Sequence, residues 1–338
     1  MNKRVVPAFI DLHVHLREPG QTHKGDIIHE TRAAVAGGFR TIVAMPNTTP
    51  PIDTPERFHM VQELLQRNAA CRVIQCACMT KDRAGKEPTD VQALKEAGVI
   101  ALSDDGSTTQ DTGVMREVAC RAAEAGLPLI DHCEDGPSTR RGEIAMVERD
   151  LELARETGAH FHLQHLSARE AVELLNAAIS DGLPVTGEAT PHHLALTQEA
   201  VARWGTNAKM APPLREESDR QALLAAVASG VISVIATDHA PHAAEEKARP
   251  FAEAPNGIIG LEAAFAVCNC VLVKSGLMTL DALLERLTSG PAKVLGIPLP
   301  TETIAIESEG DYPLPPPAFS KASNCPWTGY PGWGRVLS

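Results

Sequence analysis

The sequence predicts a (β/α)8 TIM barrel of the α/β class followed by a short proline-rich C-terminal tail, and three observations carry that expectation. Short apolar runs rich in β-formers recur eight times, at 5–15, 41–46, 72–79, 99–103, 127–132, 160–165, 183–188 and 233–238. Amphipathic helical patterns fall between them, among them 55–67, 90–97, 114–125, 143–157, 168–180 and 218–228. The composition then changes abruptly after residue 297, where the prolines of 313–317 and the later Cys325-Pro326-Trp327 leave no room for a helix. Strict alternation repeated eight times favours a closed parallel barrel, with an open doubly wound sheet as the competing arrangement.

Each element follows from its local pattern. The runs are five to eleven residues long and are followed by Gly, Pro or Asp punctuation before the next helical stretch, as strands of a parallel sheet are. Two further helical patterns, 259–274 and 280–287, follow the eighth run. The expected organisation is one barrel over residues 1–297 and an extended tail, 298–338, packed on its outside. A length of 338 residues suits this, because such barrels often run to about 250 residues as a single domain.

Bulk properties exclude several functions. With a formal charge of -12 the chain has no basic field to attract a nucleic-acid backbone or an anionic membrane surface. No apolar run approaches a membrane span, and the first residues are too short and polar for a signal peptide. Eight cysteines in a chain of this length are too sparse for a disulfide framework. The pairs Cys76/Cys78 and Cys268/Cys270 lie in apolar runs and read as buried thiols. The expected setting is the cytoplasm.

In a barrel of this kind chemistry collects at the C-terminal ends of the strands. The first run ends in His13-Val-His15, whose spacing of two puts both imidazoles on one face of a strand. The fourth ends in Asp104-Asp105-Gly106, the fifth in Asp131-His132-Cys133-Glu134, the sixth in His162-Leu-Gln-His165 and the eighth in Thr237-Asp238-His239. Taken singly, each is an ordinary turn or a hydrogen-bonded structural histidine. Convergence of five such ends in one mouth would leave charges uncompensated, and a pair of divalent ions removes that cost. Nitrogen and oxygen donors without thiolate suit Zn²⁺, with Mn²⁺ or Co²⁺ as substitutes, in an open catalytic site. The strand pattern does not choose between His162 and His165.

These motifs together resemble the amidohydrolase superfamily and, within it, the longer bacterial dihydroorotases. The resemblance runs from about residue 7 to 298 and rests on DLHVHLREPG at 11–20, MPNT at 45–48, SDDG at 103–106, DHCED at 131–135, HLQHLS at 162–167, TPHHL at 190–194, KMAPPLR at 209–215 and ATDHAPH at 236–242. It implies that His13 and His15 bind one metal, that His132 and His165 bind the second, and that Asp105 bridges them. Asp238 would touch the first metal and shuttle the proton. His162 is left to packing, and neither His192 nor His193 falls on a metal.

The resemblance further implies that Arg17 and Asn47 hold the carboxylate of dihydroorotate with His242 completing the cradle. A guanidinium fork suits a carboxylate because it donates two parallel hydrogen bonds. Asn256 and Gly257 would contact the ring. The implied reaction is reversible hydrolysis of the cyclic amide to N-carbamoyl-L-aspartate by a metal-bridging hydroxide, a step of pyrimidine biosynthesis.

Three departures stand out. The barrel begins almost at the first residue, so the β-sandwich usual in such proteins is absent or vestigial. The stretch from His132 to His165 is short, which trims a loop over the site. Ala211 stands at a substrate-contacting position where asparagine is common, a change that a backbone contact would survive.

Two rival readings compete with this one. Allantoinases and hydantoinases share H-x-H but bridge their metals with a carboxylated lysine, against which Asp105 and Arg17 argue. An inactive dihydroorotase-like scaffold for aspartate transcarbamoylase would have lost ligands, whereas all six candidates are present. A homodimer and a complex with aspartate transcarbamoylase are the assemblies the resemblance suggests.

Overall fold

The computed structural model describes residues 3–136 and 138–337. Its ten strands are β1 (Lys3–Pro7), β2 (Phe9–Val14), β3 (Phe39–Ala44), β4 (Arg72–Gln75), β5 (Leu129–Asp131), β6 (Phe161–Leu163), β7 (Val185–Ala189), β8 (Val234–Ile235), β9 (Thr303–Pro313) and β10 (Pro331–Val336). Strands β2-β3-β4 and β5-β6-β7-β8 form two parallel sheets in sequence order. Leu102 bridges Ala77 on one side and Leu129 on the other, supplying the stave between them, and a parallel bridge from Val14 to His239 returns the eighth stave to the first. The ring is thereby closed.

The expected fourth strand, 99–103, is reduced to that bridging residue. A side chain takes over from the ladder there: the Asp104 carboxylate accepts the backbone N–H groups of Met79 (2.9 Å) and Thr80 (3.3 Å). Period-two alternation sorts the apolar residues. Ile10 and Leu12, Val43 and Met45, Ile74 and Cys76 belong to a compact cluster that fills the ring. Phe9, Phe39 and Phe161 belong to the larger cluster between staves and helices, where Phe9 lies 5.7 Å from both Phe39 and Phe265.

The helices start where the sequence marks them. Asp26, Thr54, Asp90, Asp111 and Thr139 each accept a backbone N–H of the first turn they cap. The 259–274 pattern forms helix only from residue 264, as Ala264–Cys268 followed by wider turns at Asn269–Lys274. Asn269 Nδ2 there donates to Ser308 O and Trp333 O of the tail.

The run 5–15 is a correction: it is two strands, not one. β1 leaves the barrel and pairs antiparallel with β9, which pairs with β10, giving the order β1-β9-β10. The boundary expected between residues 297 and 298 therefore separates strands that share one sheet. The tail prolines do not prevent this, because Pro313 closes β9 and Pro331 opens β10, where a missing N–H costs least. Ile304 and Ile306 of β9 are buried in the large cluster. In the place considered for a β-sandwich, the described residues show this single three-stranded sheet.

Candidate metal and active centre

The stave ends bring the six candidate ligands to one rim. His13 lies near the end of β2 and His15 just beyond it; Asp105 follows the Leu102 stave, His132 follows β5, His165 follows β6 and Asp238 follows β8. His13 Nε2 is 3.1 Å from Asp105 Oδ1 and 3.3 Å from Asp238 Oδ1. His15 Nε2 is 3.0 Å from Asp238 Oδ1 and 3.4 Å from Asp105 Oδ2. His132 Nδ1 is 3.3 Å from Asp105 Oδ1 and 2.9 Å from His165 Nε2. Two donor groups result: His13, His15 and Asp238, and His13, Asp105 and His165.

The donor set fits a metal pair. Ligands bound at the usual zinc distances lie about 3.3 Å apart along a tetrahedron's edge, close to the separations observed. The second nitrogen of three imidazoles is tied outward, which leaves the other facing the carboxylates. His13 Nδ1 meets Glu188 Oε1 at 2.9 Å, His15 Nδ1 meets Asn47 Oδ1 at 3.1 Å and His132 Nε2 meets Glu134 Oε2 at 3.0 Å. The network, not visible hydrogens, assigns those tautomers.

Burial and charge oppose each other here. Burial alone would strip His13 of its proton, but the Asp238 and Asp105 carboxylates more than offset it and raise its pKa. His132 is carried up to about 10 in the same way, against burial, by Asp105 and Glu134. Burial would raise the carboxyls of Asp105 and Asp238, yet the neighbouring imidazoles hold both well below the ordinary carboxylate range. The two carboxylates draw protons onto the imidazoles beside them, and divalent ions, which bind only the neutral imidazole, would take the place of those protons. Left-handed backbone at Arg17 (φ 63°), His165 (φ 30°) and Asp238 (φ 46°) is of the strained kind that accumulates where side chains must be aimed.

Glu188, at the end of the seventh stave, carries no motif in the sequence and was not among the candidates. It is fully buried and accepts from His13 Nδ1, His162 Nε2 (3.0 Å) and the His165 backbone N–H (3.2 Å). Burial would raise its pKa, but His13 and His162 bring it down to about 2. His162 thus stands behind Glu188, outside the donor groups. Replacing Glu188 by Gln removes the charge and one acceptor, so metal affinity should fall about 10–100-fold. Competition against a chromophoric chelator measures this; wild-type affinity in Glu188→Gln would refute the orienting role.

Asp11, which opens the 11–20 motif, has a structural part. It accepts the backbone N–H groups of His13 (3.0 Å) and Thr237 (3.1 Å), tying the first stave to the eighth beneath the donors. A third buried group, Asp131, Cys133 and Asp150, has metal-ligand chemistry. It already holds a cation, because Arg149 Nη2 lies 2.7 Å from Asp150 Oδ1 and 3.1 Å from Asp131 Oδ2.

The rim opens into a cavity of about 560 Å³ lined by His15, Arg17, Asn47, Asp105, His132, His165, Ala211, Asp238, His242, Asn256 and Gly257. His13, fully buried, lies directly beneath it. Arg17 Nε donates to Pro241 O at 3.0 Å and its Nη2 to His242 Nε2 at 3.2 Å, leaving the rest of the fork free for the cavity. Burial lowers the Arg17 pKa to about 10, still charged at neutrality. His242 is pushed down to about 2, by burial and then by Arg17, so it is a neutral acceptor. Asn47 Nδ2 donates to Asp105 O and Oδ2 at 3.3 Å.

Near Ala211, His193 Nε2 donates to Pro212 O at 3.0 Å, which assigns it to the wall, and His192 belongs to neither donor group at the rim. A separate, mainly apolar cavity of about 250 Å³ lies between the tail and residues 259–266, and none of the candidate residues lines it.

The chain is similar to known proteins along most of its length. The family described as "Dihydro-orotase-like" matches residues 2–179. The chain is 38% identical over 354 residues to a dihydroorotase of Caldanaerobacter subterraneus subsp. tengcongensis, covering 97% of this chain and 82% of that protein. It is 40% identical to one of Aquifex aeolicus (98% and 84% covered) and 44% identical to one of Carboxydothermus hydrogenoformans (88% and 73% covered). Among solved structures, L-hydantoinase (dihydropyrimidinase) from Arthrobacter aurescens superposes with a TM-score of 0.92 at 22% identity over 99% of this chain and 83% of that one. A dihydropyrimidinase from Brevibacillus agri gives 0.88 at 20% identity over 99% and 84%. At such identities the likeness is one of fold.

Proposed function

The chain belongs to the dihydro-orotase-like family, and from that premise we propose that it hydrolyses the ring amide of (S)-dihydroorotate reversibly to N-carbamoyl-L-aspartate. One observation carries the reading beyond kinship. A single cavity holds, on one side, two carboxylates among three imidazoles with His13 beneath them and, on the other, a buried guanidinium beside a neutral histidine. The first suits amide hydrolysis and the second a substrate carboxylate.

His13, His15 and Asp238 would hold one divalent ion and His132 and His165 the other, with Asp105 shared between them and Zn²⁺ the choice that N/O donors favour. Ions there supply Lewis acidity and a water acidic enough to ionise near neutral pH. The protein's part is positional. Arg17 binds the carboxylate with the open part of its fork, His242 and Asn47 fix its orientation, and Asn256 and Gly257 border the ring. Asp238, kept ionised by its neighbours, accepts the proton of the attacking water and returns it to the ring nitrogen as the C–N bond breaks.

No helix of the described residues is long and apolar enough to cross a membrane. The eight cysteines are all free thiols, which supports a reducing compartment such as the cytoplasm.

The direct test compares hydrolysis of dihydroorotate, allantoin and dihydrouracil, with metal content measured on the same sample. Turnover of dihydroorotate alone is expected with two ions per chain; preference for either other ring would overturn the reading. Arg17→Met should raise KM for dihydroorotate by at least about tenfold, the worth of a charge-assisted pair, while two ions stay bound. An unchanged KM would remove Arg17 as the anchor.

A further inference from the structure

Asn324 lies in the proline-rich tail, far along the chain from the rim, yet it is 3% exposed and its side chain is wholly engaged there. Its Oδ1 accepts the backbone N–H of His242 at 3.1 Å. Its Nδ2 donates to Ala240 O and to Gly257 O, both at 3.0 Å. Its own carbonyl accepts the N–H of Ile259 at 3.1 Å. The amide's orientation is dictated by these partners, since flipping it would set a carbonyl against two carbonyls and an NH2 against an N–H.

The three groups it caps belong to the two segments that form one wall of the cavity, 240–242 after Asp238 and the stretch around Gly257. Those segments touch. A Cβ added to Gly257 (φ +151°) would come within 2.6 Å of His242 Cδ2 and 2.7 Å of Ala240 O. Their spacing is therefore already at contact; the Ala240 N–H donates to Ile258 O at 3.0 Å across the seam, and Asn324 adds a clamp on both segments from behind. The consequence reaches the cavity through His242, whose Nε2 meets Arg17. Lys247 Nζ also donates to Gly257 O at 3.0 Å, but it makes no bond to 240–242 and so cannot replace the clamp.

We propose that Asn324 is a positioning residue for the carboxylate-binding side of the substrate site, so that the C-terminal tail is part of that site. This deepens the function proposed above and rests on it for its kinetic readout. None of the groups bonded by the Asn324 side chain is a metal-donor atom, so the metal pair and the proton shuttle should be indifferent to its loss. The His242 N–H, by contrast, would become a buried donor without a partner.

The experiment uses Asn324→Leu, which keeps the volume and removes all three side-chain bonds, and Asn324→Asp, which keeps the acceptor and loses the two donors. Arg335→Met serves as a control, because Arg335 ties β10 to Glu307 of β9 and so loosens the tail's sheet elsewhere. Both Asn324 variants should raise KM for dihydroorotate by about tenfold or more, with kcat within about threefold of wild type and two ions retained. The control should leave KM unchanged.

Hydrogen exchange gives a readout independent of substrate: the His242 amide should exchange faster in Asn324→Leu, with the His132 and His165 segments unaffected. Equal KM in wild type and variants, or an equal rise in Arg335→Met, would overturn the proposal. So would unaltered exchange at His242. If wild type fails to turn over dihydroorotate while His242 exchange still responds, the substrate assignment fails and the clamp stands. Since either Asn324 variant suffices, misfolding of one leaves the other decisive.

Discussion

Asp238→Asn should keep two metal ions per chain and lose about two to four orders of magnitude in kcat, the usual worth of a positioned general acid–base. The carboxylate lies within 3.0 Å of His15 Nε2 and 3.3 Å of His13 Nε2, at the rim of the cavity. An amide oxygen can still coordinate, so metal content need not follow activity. An amide nitrogen cannot accept the proton of the attacking water, so turnover must fall. The backbone argues for a local effect, because Asn tolerates the left-handed conformation at this position as Asp does. Turnover near that of wild type in a variant holding both metals would refute the proton-transfer role. Loss of metal in step with activity would show that Asp238 acts only as a ligand.

The second large effect concerns Asp105. Its Oδ1 faces His13 (3.1 Å) and His132 (3.3 Å) with His165 at 3.9 Å, while its Oδ2 faces His15 at 3.4 Å. The carboxylate therefore stands between the two halves of the donor set, touching His13 and His15 on one side and His132 on the other, which is where a bridging ligand would sit. No lysine lines the cavity among the described residues, and Lys95, the nearest lysine before the fourth stave, donates to Ala125 O from the helix Val91–Glu96.

Two results should follow. Asp105→Ala should bind at most one ion and lose about three orders of magnitude in activity, because the Lewis acidity of a pair is worth several kcal/mol. The metal-free wild-type protein should regain full activity with Zn²⁺ in CO2-depleted buffer, since no lysine carbamate has to form. Reactivation that depends on bicarbonate, or a carbamylated lysine in the mass spectrum of the reconstituted protein, would show that the bridge is not Asp105.

Much of the site was legible because it is written in short local patterns. His13 and His15 share a strand face, Asp105 and Asp238 close their staves, and each donor type can be recognised within a few residues of sequence. The order of staves and helices is local in the same sense, since apolar periodicity needs a window of about 11–18 residues.

Other features had no local signal. Residues 5–15 read as one β-rich run, and although Pro7 is a local hint of a break before Ala8, nothing within the run says that its two halves join different sheets. That break is decided by β9, whose Ile306 pairs with Arg4 from three hundred residues away. Glu188 and Glu134 are carboxylates at stave ends like many others, and become orienting groups only because His13 and His132 come to lie about 3 Å from them. Asn324 carries no motif in the sequence; its hold on His242 and Gly257 exists only once the tail has folded back over the rim. The amino-acid order thus specified which groups could bind metal and the periodicity that carries them to one mouth. The three-dimensional packing specified how they are aimed, because a hydrogen bond depends on tenths of an ångström between segments that no stretch of sequence contains together.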